Sequence, residues 1–320
     1  MEQNKLYGGY FEKSGILKTI AFLTIVLCLL ISTALAQSEE NQEVQKPNAD
    51  IVNGKYGEFE RNVFDLWKPK SKKPTPLVVY IHGGGFNSGS KEKIAANQIN
   101  LLLKNGIAVM AINYRLLPEA VYPKHFMDCV RAIQFARYNA ENWNLDKRKI
   151  AAMGSSAGGL TALWIGFHDD MADPKNADPV LRESTRLKAM AVFSAQTTLE
   201  PEILGERIGQ VVLKHSFMKG VFFGIKPEEM RSSKGERLVR EASPLAYLTK
   251  DDPPVWAFYS IPNKPLTSDS TVSDAIHHPE FGAILKEEMD KLKIECKLRH
   301  KDDGENINGD WMRFLLKNFK

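Results

Sequence analysis

One short stretch constrains the fold of this 320-residue chain more than any other: KIAAMGSSAGGLTALW, residues 149–164. A compact apolar run is followed by small residues and then by an amphipathic segment, which predicts a buried strand, a tight turn and a helix. The turn GSSAG, residues 154–158, matches G-x-S-x-G, a pattern in which side chains at the glycine positions would clash with the crowded backbone. Alone, the pattern also fits an ordinary strand-to-helix turn. In this setting it makes Ser156 a candidate nucleophile.

A second glycine-rich segment follows another predicted strand. Residues 82–85 read HGGG and come directly after PLVVYI, a continuous apolar run typical of a strand buried on both faces. Three glycines let backbone N–H groups turn inward with no Cβ in the way, which is what an oxyanion hole requires. We interpret His82 as a hydrogen-bonding residue that fixes this loop rather than as the general base. The two motifs together favour a nucleophilic serine over a plain turn.

Strands and helices alternate along most of the chain. An exposed-edge antiparallel strand is predicted at 57–67, and further strands are predicted at 76–83, 106–114, 149–155, 187–195, 253–260 and 294–300. Helical patterns occupy most of the intervals. This alternation predicts an α/β fold with a mostly parallel sheet and helices on both faces. Residues 198–249 are too many for a simple connection and are predicted to form a helical insertion.

The N-terminal segment is interpreted as a targeting signal. Lys5, Lys13 and Lys18 precede an apolar run at residues 20–31, and ALAQ supplies small residues at positions 34 and 36. The pattern predicts a secretory signal peptide at 1–36, an exported protein (periplasmic or secreted) and no membrane span after cleavage. Retention of the segment as an anchor is the alternative. The polar residues 37–50 are predicted to be a disordered tether, and 51–320 the folded domain.

Charge and motif content argue against several classes of function. The net charge is only +4 and basic residues are interspersed with acidic ones, which argues against nucleic-acid binding. The sequence contains no zinc spacing, Walker loop or dinucleotide fingerprint, so we expect neither a metal nor a cofactor. Outside the signal segment, Cys129 and Cys296 lie in separate predicted elements and are interpreted as buried free thiols.

Four segments carry a resemblance to a known family: HGGGF, INYRLLPEA, YPKHFMDCVRAIQFARYNAENWNLD and KIAAMGSSAGG. Over about residues 56–161 the chain resembles the α/β-hydrolase fold, in the branch of hormone-sensitive-lipase-like carboxylesterases and feruloyl-esterase-like bacterial hydrolases. The resemblance implies an eight-stranded sheet and a Ser–His–acid triad that hydrolyses carboxylic esters. It implies Ser156 as the nucleophile and the N–H groups of Gly84, Gly85 and Ala157 as the oxyanion hole. Asp128 and Asp146 match residues that are structural in this family.

The chain departs from the family pattern where the acid and the base are expected. The acid usually follows the strand matched by PPVWAFYS, but Asn263 stands near that place, and Asp269 and Asp274 come well beyond it. The base usually lies a few residues past the last strand, where this chain has Gly304, with His300 about four residues earlier. The missing base matters because a serine without one is a poor nucleophile.

One way to complete the site keeps the base after the last strand. His300 would reach Ser156 through a shortened loop, and either Asp269 or Asp274 would orient its imidazole.

A second alternative exchanges the roles of the two loops, since both open at the carboxyl edge of the sheet, where α/β proteins place their sites. His277 or His278 would then be the base, and Asp302 or Asp303 its partner. A third alternative is an inactive relative that keeps the serine and the glycine loop but binds a ligand instead of cleaving it. For an active enzyme, export and fold analogy suggest small acyl or aryl esters or acylated polysaccharide.

Overall fold

The computed structural model describes residues 44–304 and 307–320. In this part of the chain a single eight-stranded sheet runs in the order β1-β2-β4-β3-β5-β6-β7-β8. The β1–β2 and β2–β4 pairs are antiparallel and the other pairs are parallel. The strands are β1 (Ile51–Lys55), β2 (Val63–Trp67), β3 (Thr75–Ile81), β4 (Ala108–Ile112), β5 (Leu145–Ser155), β6 (Met190–Phe193), β7 (Val255–Tyr259) and β8 (Cys296–His300).

Helices cover both faces of the sheet, as predicted. They are α1 (Ala96–Lys104), α2 (Lys124–Tyr138), α3 (Ala157–Phe167), α4 (Pro201–Arg207), α5 (Ser233–Ala242), α6 (Val272–Ile276), α7 (Glu280–Lys291) and α8 (Ile307–Asn318). Alternate residues of β3 enter two separate cores, because successive side chains of a strand point to opposite faces. Val79 packs in the core that includes α2, α3 and α7, whereas Val78 packs in the core that includes α1 and α8.

The prediction of an exposed edge strand at 57–67 is wrong in its position. Only Val63–Trp67 of this segment forms a strand, and β1 pairs with its outer side, so β2 lies inside the sheet and is largely buried. The residues before β2 form a turn closed by Asn62, whose N–H donates to Phe59 O at 2.9 Å. The edge strand is β1, whose mostly exposed side chains gave no apolar alternation to read.

The packed domain begins earlier than residue 51. Trp67 Nε1 donates to Pro47 O at 2.8 Å, and the Asp50 N–H donates to Leu66 O at 2.8 Å. The last residues assigned to a disordered tether are therefore hydrogen bonded to β2. The signal peptide predicted at 1–36 lies outside the described residues.

The segment predicted as a helical insertion connects β6 to β7. It contains α4, α5 and several 3₁₀ turns, among them Val212–Lys214 and Ser216–Lys219. Elsewhere Asp128 pairs with Arg115 at 2.6 Å, which fits a structural role for that carboxylate. Asp146 likewise pairs with a neighbouring arginine of β5.

Cys129 and Cys296 are free and buried, and burial raises the pKa of both thiols. Within residues 44–304 and 307–320, no helix is both long and apolar enough to cross a membrane. The same residues hold no group of three or more His, Cys, Asp or Glu side chains arranged to bind a metal ion.

Candidate active site

Ser156 lies at the tight turn between β5 and α3, as the G-x-S-x-G pattern predicts. Its backbone angles are φ 50° and ψ −121°, a conformation that residues with a Cβ rarely adopt. The Ser156 N–H donates to Phe193 O at 2.8 Å, which ties the turn to the end of β6. A Cβ on Gly158 would overlap the carbonyl oxygen of Ile81, so only glycine allows α3 to start this close to β3.

The glycine loop lies beside this turn because β3 and β5 are neighbours in the sheet, with Ile81 opposite Gly154. Gly84 has φ +115°, which a residue with a side chain could adopt only under strain. In the described part of the chain, the N–H groups of Gly84, Gly85 and Ala157 donate to no protein acceptor. The Ala157 N–H also lies at the positive end of the α3 dipole. These three donors are therefore free to bind an oxyanion.

His82 is a buried residue that is hydrogen bonded to the glycine loop. It is fully buried, its Nδ1–H donates to Gly83 O at 2.7 Å, and its ring stacks on Tyr114 with 4.3 Å between centroids. Burial lowers the pKa of His82 to about 4, so the imidazole is neutral. This arrangement agrees with the prediction that His82 fixes the loop.

His277 is the histidine that the structure brings to Ser156. Its Nε2 lies 2.9 Å from Ser156 Oγ, and its Nδ1–H donates to Ser273 O at 2.9 Å. A proton on Nδ1 leaves Nε2 free to accept the Ser156 hydroxyl proton. Burial lowers the pKa of His277 below its ordinary value of 6.5, although the Ser273 carbonyl and Asp274 oppose the shift. The imidazole is therefore neutral at pH 7 and suited to act as a base.

Two features hold His277 in place. It directly follows the short helix α6, whose first turn is closed by a reciprocal cap: Thr271 N donates to Asp274 Oδ2 at 2.8 Å, and Asp274 N donates to Thr271 Oγ1 at 3.1 Å. From the other side, the fully buried Gln196 donates through Nε2 to Ile276 O at 2.7 Å. The base is thus fixed by a helix cap and by a side chain that follows β6.

Neither predicted acid contacts a histidine by hydrogen bond. The Asp274 carboxylate accepts hydrogen bonds from the backbone N–H and the hydroxyl of Thr271, at 2.8 and 2.7 Å. It is therefore part of the N-terminal cap of α6. Among the described residues, Asp269 accepts only from Ser268 Oγ, at 3.3 Å. The first alternative paired these carboxylates with His300, and in the described part of the chain neither is hydrogen bonded to that imidazole. The acceptor at His277 Nδ1 is instead a main-chain carbonyl.

His278 also does not reach the serine. It is buried, its Nε2–H donates to Lys264 O at 2.8 Å, and its Nδ1 accepts from Glu280 N at 3.1 Å. Both ring nitrogens are therefore used to join the start of α7 to the loop after β7. His277 and His278 both lie in the short connection between α6 and α7, and their imidazoles bond to different partners, Ser156 Oγ and Lys264 O.

His300 stands at the end of the edge strand β8, three strands away from β5. Its imidazole lies between Asp302 and Asp303, with nitrogen–oxygen distances of 3.7 and 3.6 Å. Asp302 also accepts from Asn263 N at 3.1 Å. These two carboxylates therefore engage His300 and the loop after β7, not His277. Of the second alternative, the structure brings the histidine to Ser156 but not the acid.

A cavity of about 380 Å³ opens above the serine. Its lining consists of the glycine loop, the turn, the base, the last residue of α6 and two residues of the insertion: Gly83, Gly84, Gly85, Ser155, Ser156, His277, Ile276, His215 and Phe217. Sequence reasoning missed His215, Gln196 and Ser273. The T-x-x-D spacing at 271–274 was a readable cap signal for α6, but nothing local marked His215.

Comparisons with known proteins agree with this architecture. The model of the BD-FAE family matches residues 64–264. A carbohydrate esterase from gut microbiota superposes with a TM-score of 0.66 at 17% identity, covering 87% of this chain and 98% of the other. The acetyl ester-xyloside bifunctional hydrolase of Caldicellulosiruptor lactoaceticus gives 0.63 at 22% identity, covering 86% and 96%. At these identities the superpositions show the α/β-hydrolase fold, as expected from the sequence.

Among curated proteins, the esterase LipC of Mycobacterium tuberculosis is 26% identical over 202 residues, which are 62% of this chain and 47% of the relative. The arylesterase of Saccharolobus solfataricus is 38% identical over 96 residues, 29% of this chain and 31% of the relative. The chain thus spans half or less of the length of these relatives.

Proposed function

Since the chain belongs to the BD-FAE family, we propose that it hydrolyses carboxylic esters, with Ser156 as nucleophile and His277 as general base. The 2.9 Å contact between Ser156 Oγ and His277 Nε2 carries this proposal. The contact occurs at a turn that presents the serine to three unused backbone N–H donors. A serine in an ordinary strand-to-helix turn has no need of a neutral imidazole at its hydroxyl or of free backbone N–H donors beside it. The presence of both at Ser156 favours a nucleophilic role.

The reaction follows from the positions of these groups. His277 Nε2 takes the hydroxyl proton as Ser156 Oγ forms a bond to the ester carbonyl carbon, and the carbonyl oxygen becomes an oxyanion bound by the N–H groups of Gly84, Gly85 and Ala157. The tetrahedral intermediate collapses, the C–O bond to the alcohol breaks, and the His277 imidazolium returns its proton to the leaving oxygen. Water, activated by the same imidazole, then hydrolyses the acyl-enzyme.

A backbone carbonyl takes the place of the third triad member. Ser273 O fixes the His277 tautomer and ring plane, as a carboxylate does in a triad. A carbonyl carries a dipole and not a full charge, so it stabilises the imidazolium less than a carboxylate would. We therefore propose a Ser–His dyad oriented by the main chain, with slower acylation than a complete triad would give.

The proposed substrates carry a short acyl group. The cavity of about 380 Å³ is at the small end of the range for ligand sites, and the apolar Phe217 and Ile276 form part of its wall. Two structural relatives are named as a carbohydrate esterase and an acetyl ester-xyloside hydrolase, which supports an acetyl ester as the first substrate to test. The proposed location is outside the cytoplasm, on the basis of the signal pattern at 1–36 alone.

The deciding experiment is labelling with a fluorophosphonate probe, because this reagent modifies only an activated serine. The purified protein should be labelled at Ser156, as located by peptide mass spectrometry, and should hydrolyse 4-nitrophenyl acetate. Ser155 is the matched control, since it is the adjacent hydroxyl on the same turn. Absence of both labelling and turnover would favour the alternative function, an inactive protein that binds its ligand in the same cavity.

A further inference from the structure

A second histidine lines the cavity but takes no part in the dyad. His215 lies in the insertion, between the 3₁₀ turns Val212–Lys214 and Ser216–Lys219, and shares the cavity wall with Ser156 and His277. It is half-buried, and its ring packs edge-on against Phe217 with 4.4 Å between centroids. The insertion thus places an imidazole at the site where the substrate must bind.

The hydrogen bonding of His215 fixes which nitrogen carries its proton. The Phe217 N–H donates to His215 Nδ1 at 3.3 Å, so Nδ1 is the acceptor and the proton is on Nε2. Within residues 44–304 and 307–320, the imidazole of His215 is hydrogen bonded at Nδ1, and its Nε2 donates to no protein acceptor. Burial is the largest cause of the lowered pKa of His215, which is about 4, and the nearby His277 and Lys219 lower it further. At neutral pH, His215 is therefore an uncharged donor with a free N–H.

The reaction geometry indicates which part of the substrate meets this donor. The ester carbonyl oxygen must face the glycine loop, and the leaving oxygen must lie beside His277, which returns a proton to it. His215 lines the same cavity as His277, and the two imidazoles are close enough for His277 to lower the pKa of His215. A group next to the leaving oxygen is therefore the group that His215 can reach.

We propose that His215 Nε2–H donates a hydrogen bond to a hydroxyl or ring oxygen of the alcohol portion, so that the enzyme prefers esters of polyols such as sugars over esters of apolar alcohols. This inference rests on the proposed esterase function and adds the class of alcohol to it. An apolar alcohol would leave the Nε2–H without an acceptor once water is displaced from the cavity, which costs binding free energy. His215 is thus a specificity-determining residue and not a second base.

The test compares two esters with the same acyl group and different alcohols, a mono-acetylated methyl xyloside and ethyl acetate. The quantity compared is kcat/KM for the xyloside divided by kcat/KM for ethyl acetate. This ratio cancels any effect on acylation that is common to both esters. In His215→Phe, which keeps a flat ring and removes the donor, this ratio should fall about tenfold, the effect of one lost hydrogen bond. His215→Gln, whose amide supplies an N–H at a similar distance, should recover most of it. Ser216→Ala is the neighbouring control and should keep the ratio of the unmodified protein.

Three outcomes would overturn the inference. Equal losses on both esters would show that His215 supports the fold or the chemistry and does not select the alcohol. A shift of the acid limb of the pH–rate profile in His215→Phe would make it a base. Failure of the unmodified protein to react with a fluorophosphonate would contradict the proposed function, and this inference with it. The first two outcomes are different, because they leave the unmodified protein active and contradict only the role of His215. Thermal unfolding midpoints identify any variant that does not fold. If His215→Phe does not fold, the ratio for the two esters is compared between His215→Gln and the unmodified protein.

Discussion

Removal of the His277 imidazole should reduce kcat/KM by about 10²–10⁴-fold, the usual contribution of general-base catalysis. This corresponds to about 2.7–5.4 kcal/mol of transition-state stabilisation. The structure favours the upper part of the range, since no other described side chain is hydrogen bonded to Ser156 Oγ. His215 shares the cavity, but with a pKa of about 4 it is too weak a base to replace His277.

The assay is initial-rate hydrolysis of 4-nitrophenyl acetate by the purified full-length protein and by His277→Ala. His277→Gln is the second variant, because it fills the same space and cannot act as a base. His300→Ala is the matched control, since that imidazole lies between Asp302 and Asp303 and should change the rate by less than about twofold. Loss of activity in His300→Ala together with an active His277→Ala would refute the assignment of the base.

Three further predictions follow from the same geometry. Ser156→Ala should lower turnover by about 10⁴-fold or more, whereas Ser155→Ala should cost far less, as measured on 4-nitrophenyl acetate; equal losses would contradict the described turn. Only neutral imidazole accepts the serine proton, and burial lowers the pKa of His277 below 6.5. Activity should therefore fall with decreasing pH through a midpoint below 6.5. A midpoint above 6.5 in a pH–rate profile would contradict the described environment of His277. Asp128→Ala should lower the free energy of unfolding by about 3–5 kcal/mol in urea denaturation, because it leaves Arg115 without its 2.6 Å partner, and a loss below about 1 kcal/mol would show that the pair is not effectively buried.

The parts of the site that the sequence predicts are local in the chain. The turn at 154–158 and the glycine loop at 82–85 are each specified by a few consecutive residues that follow a buried strand. Sterics within those residues leave few alternatives: Gly158 must accommodate the Ile81 carbonyl, and Gly84 must adopt φ +115°. The α/β class could be predicted from continuous apolar strands that alternate with helical patterns, and the hydrolase fold from the resemblance of a few short segments to a known family.

The base could not be assigned from the sequence because its position depends on contacts between distant segments. His277 and His278 are adjacent, and only tertiary structure separates their roles: Gln196 holds Ile276 from one side, while Lys264 O accepts from His278 on the other. The orienting group is a main-chain carbonyl, which every residue possesses and no residue type signals. His215 was missed because the insertion that carries it has no motif to align with the cavity.

The backbone conformation of Ser156 has a consequence for the evolution and engineering of this protein. A non-glycine residue at φ 50° costs about 1–3 kcal/mol relative to a relaxed backbone, and the rest of the fold must compensate for that cost. Glycine at this position would relieve the strain and remove the nucleophile in the same step. Selection for thermal stability alone would therefore favour loss of the serine. Any programme that stabilises this protein needs activity as a second criterion at this one residue, where stability and function oppose each other most directly.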